Sequence, residues 1–432
     1  MASKKIKNFE KLAQNKLRSD ALLIAEAGLE AIDTSNIVSK FIQLENNILT
    51  INHHQFNILN FNKIVVCAIG KCALEGAKAL ENILGDFITD GIALYVGEKN
   101  IELKKIEKIR GTHPYPSEIN VNASKKIIEK LSNLTEKDLV IFLISGGGST
   151  LLCLPTKSDF SLEAEIFKIL TRQGANILEL NTLRKHISLV RGGFLAKYIY
   201  PAKAISLIFS DVLNNNLSFI SSGPTVKDET TIEDAKKIIE KYQLQNFLNL
   251  SEIELIETPK EDFYFENILN ILAVSNEDAL KAMENKAKEL QYNVKIIDKN
   301  ISGEAREVGI KILNDLRTEP NNTVLLYGGE TTVTVKGHGR GGRNLELALA
   351  CAFNILENEI VVPFDSDGKD NGDFAGAIAD LITKNLVLEN IAEAKIYFEN
   401  NDEYPLFEKI GNYLLTGDTG SNVSDLIIAI KQ

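Results

Sequence analysis

Positive charge is in deficit in this chain: 48 Lys and Arg against 59 Asp and Glu leave a formal charge of −11. Binding along a nucleic-acid backbone needs a broad basic face, so nucleic acid is excluded as the main partner, and the basic residues that matter should be few and placed. Cysteine is scarce as well. The 4 cysteines, Cys67, Cys72, Cys153 and Cys351, contain no Cys-x-x-Cys pair, and the 5 histidines add no cluster with metal-ligand spacing. No apolar run is long enough to cross a bilayer, and the charged start Met1-Ala-Ser-Lys-Lys-Ile-Lys lacks the apolar stretch of a secretory signal, so a cytoplasmic protein without a membrane partner is expected. Internal repeats and low-complexity tracts are absent.

What is present is ordinary globular material, 44% hydrophobic and 25% charged, in a chain of 432 residues that is too long for one core. Two domains are expected. After a helical segment reaching about residue 44, apolar runs and helical periodicity alternate: strands at 63–69, 91–96, 138–144 and 204–209, helices at 71–87, 121–131, 162–170 and 232–242. That alternation predicts a parallel sheet between helices. The rhythm lapses over 243–267, an acidic stretch read as a linker, and resumes with strands near 271–274, 294–297, 324–326, 359–364, 413–416 and 425–430, and helices at 278–290, 304–316 and 374–381. The expected domains are 1–245 and 266–432.

In an open α/β sheet ligands bind beyond the carboxyl ends of the strands, so polar residues there outrank others. Two strand ends are rich in glycine. Tyr327-Gly-Gly-Glu330 leads through a glycine-rich stretch carrying Arg340 and Arg343 to a helix beginning near Asn344, an arrangement suited to an anion. Ser145-Gly146-Gly147-Gly148-Ser149 follows the apolar strand 138–144, and three glycines flanked by serines let amides and hydroxyls approach a phosphate. Lys71, after Gly70 at the first strand's end, also favours an anion, although the full phosphate-loop pattern is absent. Asp211 ends another strand and, like Asp367 and Asp370 in Asp365-Ser-Asp-Gly-Lys-Asp370, could bind magnesium or take a proton from a hydroxyl. Asp373 reads as a turn or cap, and the spacing is not that of a calcium loop. Glu330 could cap, ligate a metal through water or bond a ribose. His186, beside Arg184 and Lys185, reads as a hydrogen-bonded structural histidine that acid–base work would also suit.

Together these segments resemble the glycerate 2-kinases of the two-part type whose C-terminal region is called the MOFRL domain. The resemblance rests on Gly70-Lys71, Gly111-Thr-His-Pro-Tyr-Pro116, Ser145 to Ser149, Asn181 to Gly193, Ser210-Asp-Val212 with Ser222-Gly-Pro-Thr225, Gly328-Gly-Glu330, Gly341-Gly-Arg-Asn344, Asp367-Gly-Lys-Asp370 and Thr416-Gly-Asp-Thr-Gly-Ser-Asn-Val423, in the expected order over most of the chain. The pattern is departed from at Asn214 and Asn215, which stand where a glycine–aspartate pair is usual, at Leu345, at Asp418, and in a loop after Asp370 that is one residue short. The resemblance implies an N-terminal Rossmann-like doubly wound sheet, a C-terminal α/β domain with a mixed sheet, and an active site in the cleft between them. It implies phosphorylation of D-glycerate at its 2-hydroxyl, with ATP and Mg2+ as cofactors; homo-oligomers are compatible with it. Under this reading Ser145, Gly146, Gly147, Gly148, Ser149, Glu330 and Asn344 hold the nucleotide, and Lys71, Asp211 and Arg343 are catalytic. Lys71, Arg340, Arg343 and Asp367 contact substrate, and Asp211 and Asp367 bind metal. The rival is an NAD(P)-dependent hydroxypyruvate reductase, or a kinase of another small hydroxy acid. A dinucleotide fingerprint Gly-x-Gly-x-x-Gly is missing after the first strand, where Gly70-Lys71-Cys72-Ala73 stands instead.

Overall fold

The computed structural model describes residues 4–157, 159–249, 251 and 253–432, with the side chain of Leu213 left aside. Contacts divide the chain into two units, one made of Thr34–Asp211 and Asn215–Ala273, the other of Met1–Asp33, Val212–Asn214 and Val274–Gln432.

The first unit opens on the helix Thr34–Phe41, followed by an antiparallel hairpin pair, β1 (Ile42–Glu45), β2 (Ile48–Ile51) and β3 (His54–Asn57). Its tight turns use left-handed backbone at Asn46, Asn47 and Asn52, a conformation asparagine tolerates. The main sheet contains β4 (Lys63–Ile69), β5 (Asp90–Tyr95), β6 (Glu107–Arg110), β7 (Asp138–Ile144), β8 (Lys203–Phe209) and β9 (Ile268–Val274), in the order β6-β5-β4-β7-β8-β9. The pairs β5–β6, β4–β5, β4–β7 and β7–β8 are parallel. Every residue of β7 is buried, which is why it is a continuous apolar run rather than an alternating one.

The second unit has a mixed sheet built from β10 (Asn293–Ile301), β11 (Thr323–Gly329), β12 (Glu359–Asp365), β13 (Gly376–Ala377), β14 (Ala379–Asp380), β15 (Tyr413–Leu414) and β16 (Asp425–Lys431). Its order is β10-β11-β16-β12-β13-β15, with β14 beside β12, and β16 runs antiparallel to both β11 and β12. Its core includes Tyr327, Leu345, Leu347, Leu349, Phe407 and Ile427, all fully buried.

Three expectations differ. The helix expected over 374–381 is two short strands, and a helix starts only at Leu381. A Cβ at Gly376 would lie 2.0 Å from the Pro363 carbonyl oxygen, so glycine lets β13 approach β12 closely, and the Asp380 side chain then caps the following helix by accepting from the Thr383 amide. The stretch 243–267 belongs to the first unit: Ile253 and Leu255 pack against its core, and the Lys260 ammonium donates to the Asp228 and Thr230 carbonyls. Residues 1–33 group with the C-terminal unit rather than with 34–245, because the helix Lys16–Ala31 packs on the helix Asn276–Glu289 and Arg18 forms a buried bidentate pair with Asp380. Among the described residues no helix is long and apolar enough to cross a membrane.

Candidate active site

In the first unit the parallel register aligns Ile69 of β4 with Ile144 of β7, so Gly70-Lys71 and Ser145-Gly146 leave the sheet side by side. The two turns interlock. Lys71 N donates to the Gly146 carbonyl (2.9 Å), Ser145 N to the Ile69 carbonyl (2.9 Å), and Cys72 N to Ser145 Oγ (3.0 Å). Gly70 has φ +114°, and a Cβ there would lie 2.3 Å from Ser145 Oγ, so only glycine permits the approach. Gly147 is left-handed (φ +83°), and its Cα faces Lys71 Cγ and His113 Cδ2, which a Cβ would meet at 3.5 and 3.6 Å. Lys71 and His113 therefore flank the centre of the glycine turn.

A third loop braces this arrangement. Ser221 Oγ donates to the Ser145 carbonyl (2.7 Å), Ser149 Oγ and Ser222 Oγ share a hydrogen bond (2.9 Å), and Ser222 Oγ donates to Asn181 Oδ1 (2.7 Å). Ser221 and Ser222 both hold left-handed backbone, which costs a β-carbon-bearing residue on the order of 1–2 kcal/mol. Of the residues in these contacts, Ser221, Ser222, Asn181 and His113 were not among the expected site residues. Their signals were the serine-rich Ser221-Ser-Gly-Pro-Thr225, which carries no recognisable period, and, for His113 and Asn181, the resembling segments Gly111 to Pro116 and Asn181 to Gly193. Asp211 lies two residues beyond β8, at the same carboxyl edge, because β8 is parallel to β7. His186 is buried with Nδ1 3.0 Å from the Thr182 carbonyl oxygen, and burial lowers its pKa, consistent with the structural role. Cys72 is buried and its thiol is pushed up to about 12 by desolvation, which leaves no reactive thiolate beside Lys71.

In the second unit the antiparallel register sets Gly329, Asp425 and Asp365 in a row across β11, β16 and β12. The helix Arg343–Asn354 begins in front of them, and the Arg343 guanidinium bridges all three strands: Nε to Asp425 (2.6 Å), one terminal nitrogen to Asp365 (2.8 Å) and Asp425 (3.0 Å), the other to Glu330 (2.8 Å). The expected open clamp is thus an arginine already surrounded by three carboxylates, which raise its pKa despite burial. Asn344 is buried too and donates to Asp425 (2.9 Å). Asp370 caps the helix, accepting from the Leu345 amide (2.8 Å), and a Cβ at Gly342 would sit 2.3 Å from the Asp370 carboxyl carbon. Burial, followed by repulsion from Asp425, pushes Asp370 up to about 7. Asp367 is half-buried, and its amide donates to Asp365 (3.0 Å). Arg340 stands apart. It is exposed, paired with Asp373 (3.2 Å) and stacked on Tyr404 (3.7 Å), and Asp373 is this pair's partner rather than only a turn residue.

Arg343 also lines a cavity of about 500 Å³ together with Thr331, Gly341, Gly342, Asn371 and Glu403. Glu403 is fully buried, neither carboxyl oxygen has a hydrogen-bond partner outside its own residue among the described residues, and burial raises its pKa to about 8. Among the described residues no group of three or more His, Cys, Asp or Glu side chains is arranged to hold a metal by itself.

The fold defines a two-unit α/β protein with glycine-rich turns at the carboxyl ends of its strands. Two family models match the chain: a domain of unknown function (DUF4147) over residues 20–256 and the MOFRL family over residues 323–425. A glycerate 2-kinase of Pyrococcus horikoshii is 37% identical, covering 96% of this chain and 97% of that protein, and a D-glycerate 2-kinase of Thermotoga maritima is also 37% identical, covering 86% and 91%. The crystal structure of glycerate kinase from Thermotoga maritima superposes with a TM-score of 0.83 at 34% identity, over 96% of this chain and 99% of that one. The chain belongs to the two-part glycerate 2-kinase family with a C-terminal MOFRL domain.

Proposed function

We propose that the protein is a glycerate 2-kinase, transferring the γ-phosphoryl group of ATP to the 2-hydroxyl of D-glycerate to give 2-phosphoglycerate and ADP. The observation that carries the reading is the interlocked pair of turns at Gly70-Lys71 and Ser145 to Ser149. The strand ladder ends at Ile144, so the glycine amides beyond it are available to phosphate oxygens, and Lys71 adds a charge beside them. In the transfer the substrate oxygen forms its bond to the γ-phosphorus as the bond to the ADP oxygen breaks. The hydroxyl proton passes to Asp211 or Asp367. Lys71 stabilises the charge spread over the phosphoryl oxygens.

Arg343 takes a double part in this reading. Through Nε it fixes Asp425, and through its contact with half-exposed Glu330 it keeps one edge able to exchange a carboxylate partner for an anionic substrate. Magnesium, when bound, neutralises charge on the phosphates. It commonly takes only one or two protein carboxylates beside phosphate oxygens and water, so hard oxygen donors at Asp211 or Asp367 fit it without a larger acidic cluster. Residues of both units serve one reaction under this proposal, and substitution in either should abolish the same turnover.

Hydride transfer to hydroxypyruvate is disfavoured by the crowded Gly70 turn, whose neighbour is a lysine rather than the second glycine a dinucleotide pyrophosphate requires. Phosphorus NMR of the product formed from ATP and D-glycerate tests the proposal: a 2-phosphoglycerate resonance is expected, and 3-phosphoglycerate, or NAD reduction without phosphoryl transfer, would overturn it.

A further inference from the structure

The helix Phe160–Arg172 and the helix Ile177–His186, both in the first unit, leave between them and the turn Pro114–Pro116 a cavity of about 540 Å³. Its walls carry Lys168, Arg172 and Arg184, with the hydroxyls of Thr150 and Thr171. In an acidic protein most lysines and arginines find carboxylates. Among the described residues none of these three makes an ion pair. Lys168 instead stands over the Tyr115 ring at 4.4 Å, and Arg184 over the Phe167 ring at 3.9 Å.

Arg184 is the least compensated. The one acidic side chain on the cavity wall, Glu163, is committed to the buried Arg191 at 2.6 Å, so Arg184, Arg191 and Glu163 together leave one positive charge partly shielded from water. Among the described residues, the buried Arg184 Nε has no hydrogen-bond partner. Burial, and then repulsion from Arg191, lower its pKa to about 10, which still leaves it charged at neutral pH. Cations at the ends of helices are often explained by the helix dipole alone. That explanation does not extend to a buried guanidinium Nε with no acceptor among the described residues, whose desolvation calls for an anion nearby.

We infer that this cavity is a binding site for a phosphate-bearing small anion, held by Arg184 with Arg172 and Lys168 at the rim. A guanidinium presents paired donors that match two phosphate oxygens, the rim cations add charge, and the Thr171 hydroxyl adds a donor, the Thr150 hydroxyl being committed to the Pro114 carbonyl. The size is that of a small-molecule pocket. The ligand is the phosphate chain of a second nucleotide, distinct from the one held at the Ser145–Ser149 turn, or a separate phosphorylated effector, which share this chemistry. The inference is independent of the reaction proposed above, since it concerns binding alone.

Calorimetric titration of the full chain with inorganic pyrophosphate, without glycerate or turnover, tests it. Wild type should bind, and Arg184→Gln should weaken the affinity roughly tenfold or more, the usual effect of losing one charge-assisted contact. Because Arg184 also packs on Phe167, the exposed double variant Lys168→Gln/Arg172→Gln is measured in parallel and should weaken binding with folding unchanged. In Lys71→Ala, which weakens phosphate binding at the glycine turn, displacement of pyrophosphate by ATP would identify a nucleotide as the natural source; simultaneous binding would identify a separate effector. No pyrophosphate binding, or binding that survives the Arg184 and double substitutions and is lost in Lys71→Ala, would overturn the assignment.

Discussion

Lys71 stands at the residue scale as the group on which turnover should depend most. A single positive charge beside preorganised amides stabilises a phosphoryl group in transit, and removing one such donor costs roughly two to three orders of magnitude in rate. Lys71→Ala should therefore fold normally, as judged by thermal unfolding, and lose about that much kcat. Lys71→Arg should recover part of it only, because a planar fork does not place its charge where an ammonium does. Retained kcat with a raised KM for ATP would make Lys71 a ground-state binder. Glu403 poses the opposite case, a carboxyl with no hydrogen-bond partner among the described residues. Its folded pKa of about 8 lies above the ordinary 4.5, so folding takes up a proton. The stability tied to that proton is complete below about pH 4.5 and is lost as pH rises through 8. Glu403→Gln keeps the shape without the charge. Its melting temperature should match wild type below about pH 4 and exceed it increasingly toward pH 8, by an amount on the order of a few kcal/mol in stability. An advantage that does not grow with pH would mean that Glu403 is ionised and accommodated.

At the scale of elements, the site depends on loops held by one another rather than on helices or strands alone. The Ser145–Ser149 turn is shaped by contact with Gly70 on one side and Ser221 on the other, and a Cβ at Gly148 would fall 2.0 Å from Ser221 Oγ. Gly148→Ala should push the two loops apart and depress kcat/KM for ATP by roughly tenfold or more, as small misplacements of positioning groups do. Ser221→Gly removes both the obstructing hydroxyl and a strained left-handed serine, so the double variant should recover part of the loss. The coupling read from that double-mutant cycle is the measurement. Additive losses would show that the two loops act independently. In the second unit the same logic runs through Arg343, which ties the starts and ends of three strands to the first turn of a helix.

Across the molecule, the first 33 residues complete the C-terminal unit. Arg18, fully buried, donates twice to Asp380 and once to Asn412, and Tyr292 donates to Asp20 (2.7 Å). Removing one partner of a buried pair strands the other charge and costs about 3–5 kcal/mol. Arg18→Met should lower the unfolding midpoint in urea accordingly, whereas Arg18→Met with Asp380→Leu should regain much of the loss. A single variant as stable as wild type would show that the N-terminal helix contributes little to this unit.

The amino-acid sequence by itself determined the local elements. Strands 63–69 and 138–144 were legible to the residue, because a fully buried strand is a continuous apolar run bounded by turns and needs no partner to be recognised. The glycine turns at 70 and 145–149, and the charge at Lys71, were legible for the same reason, since glycine marks backbone that other residues cannot adopt. Contact with distant chain decided the rest. The pieces 376–377 and 379–380 became strands through β12, residues 1–33 joined the far unit through Arg18 and Asp380, and Arg343 met Glu330, Asp365 and Asp425 only because an antiparallel register brings the ends of β11 and β12 and the start of β16 into one row. Whether a charged side chain is an open ligand or a bound strut depends on which carboxylates arrive beside it, and that is a property of register and packing that no local window of sequence contains.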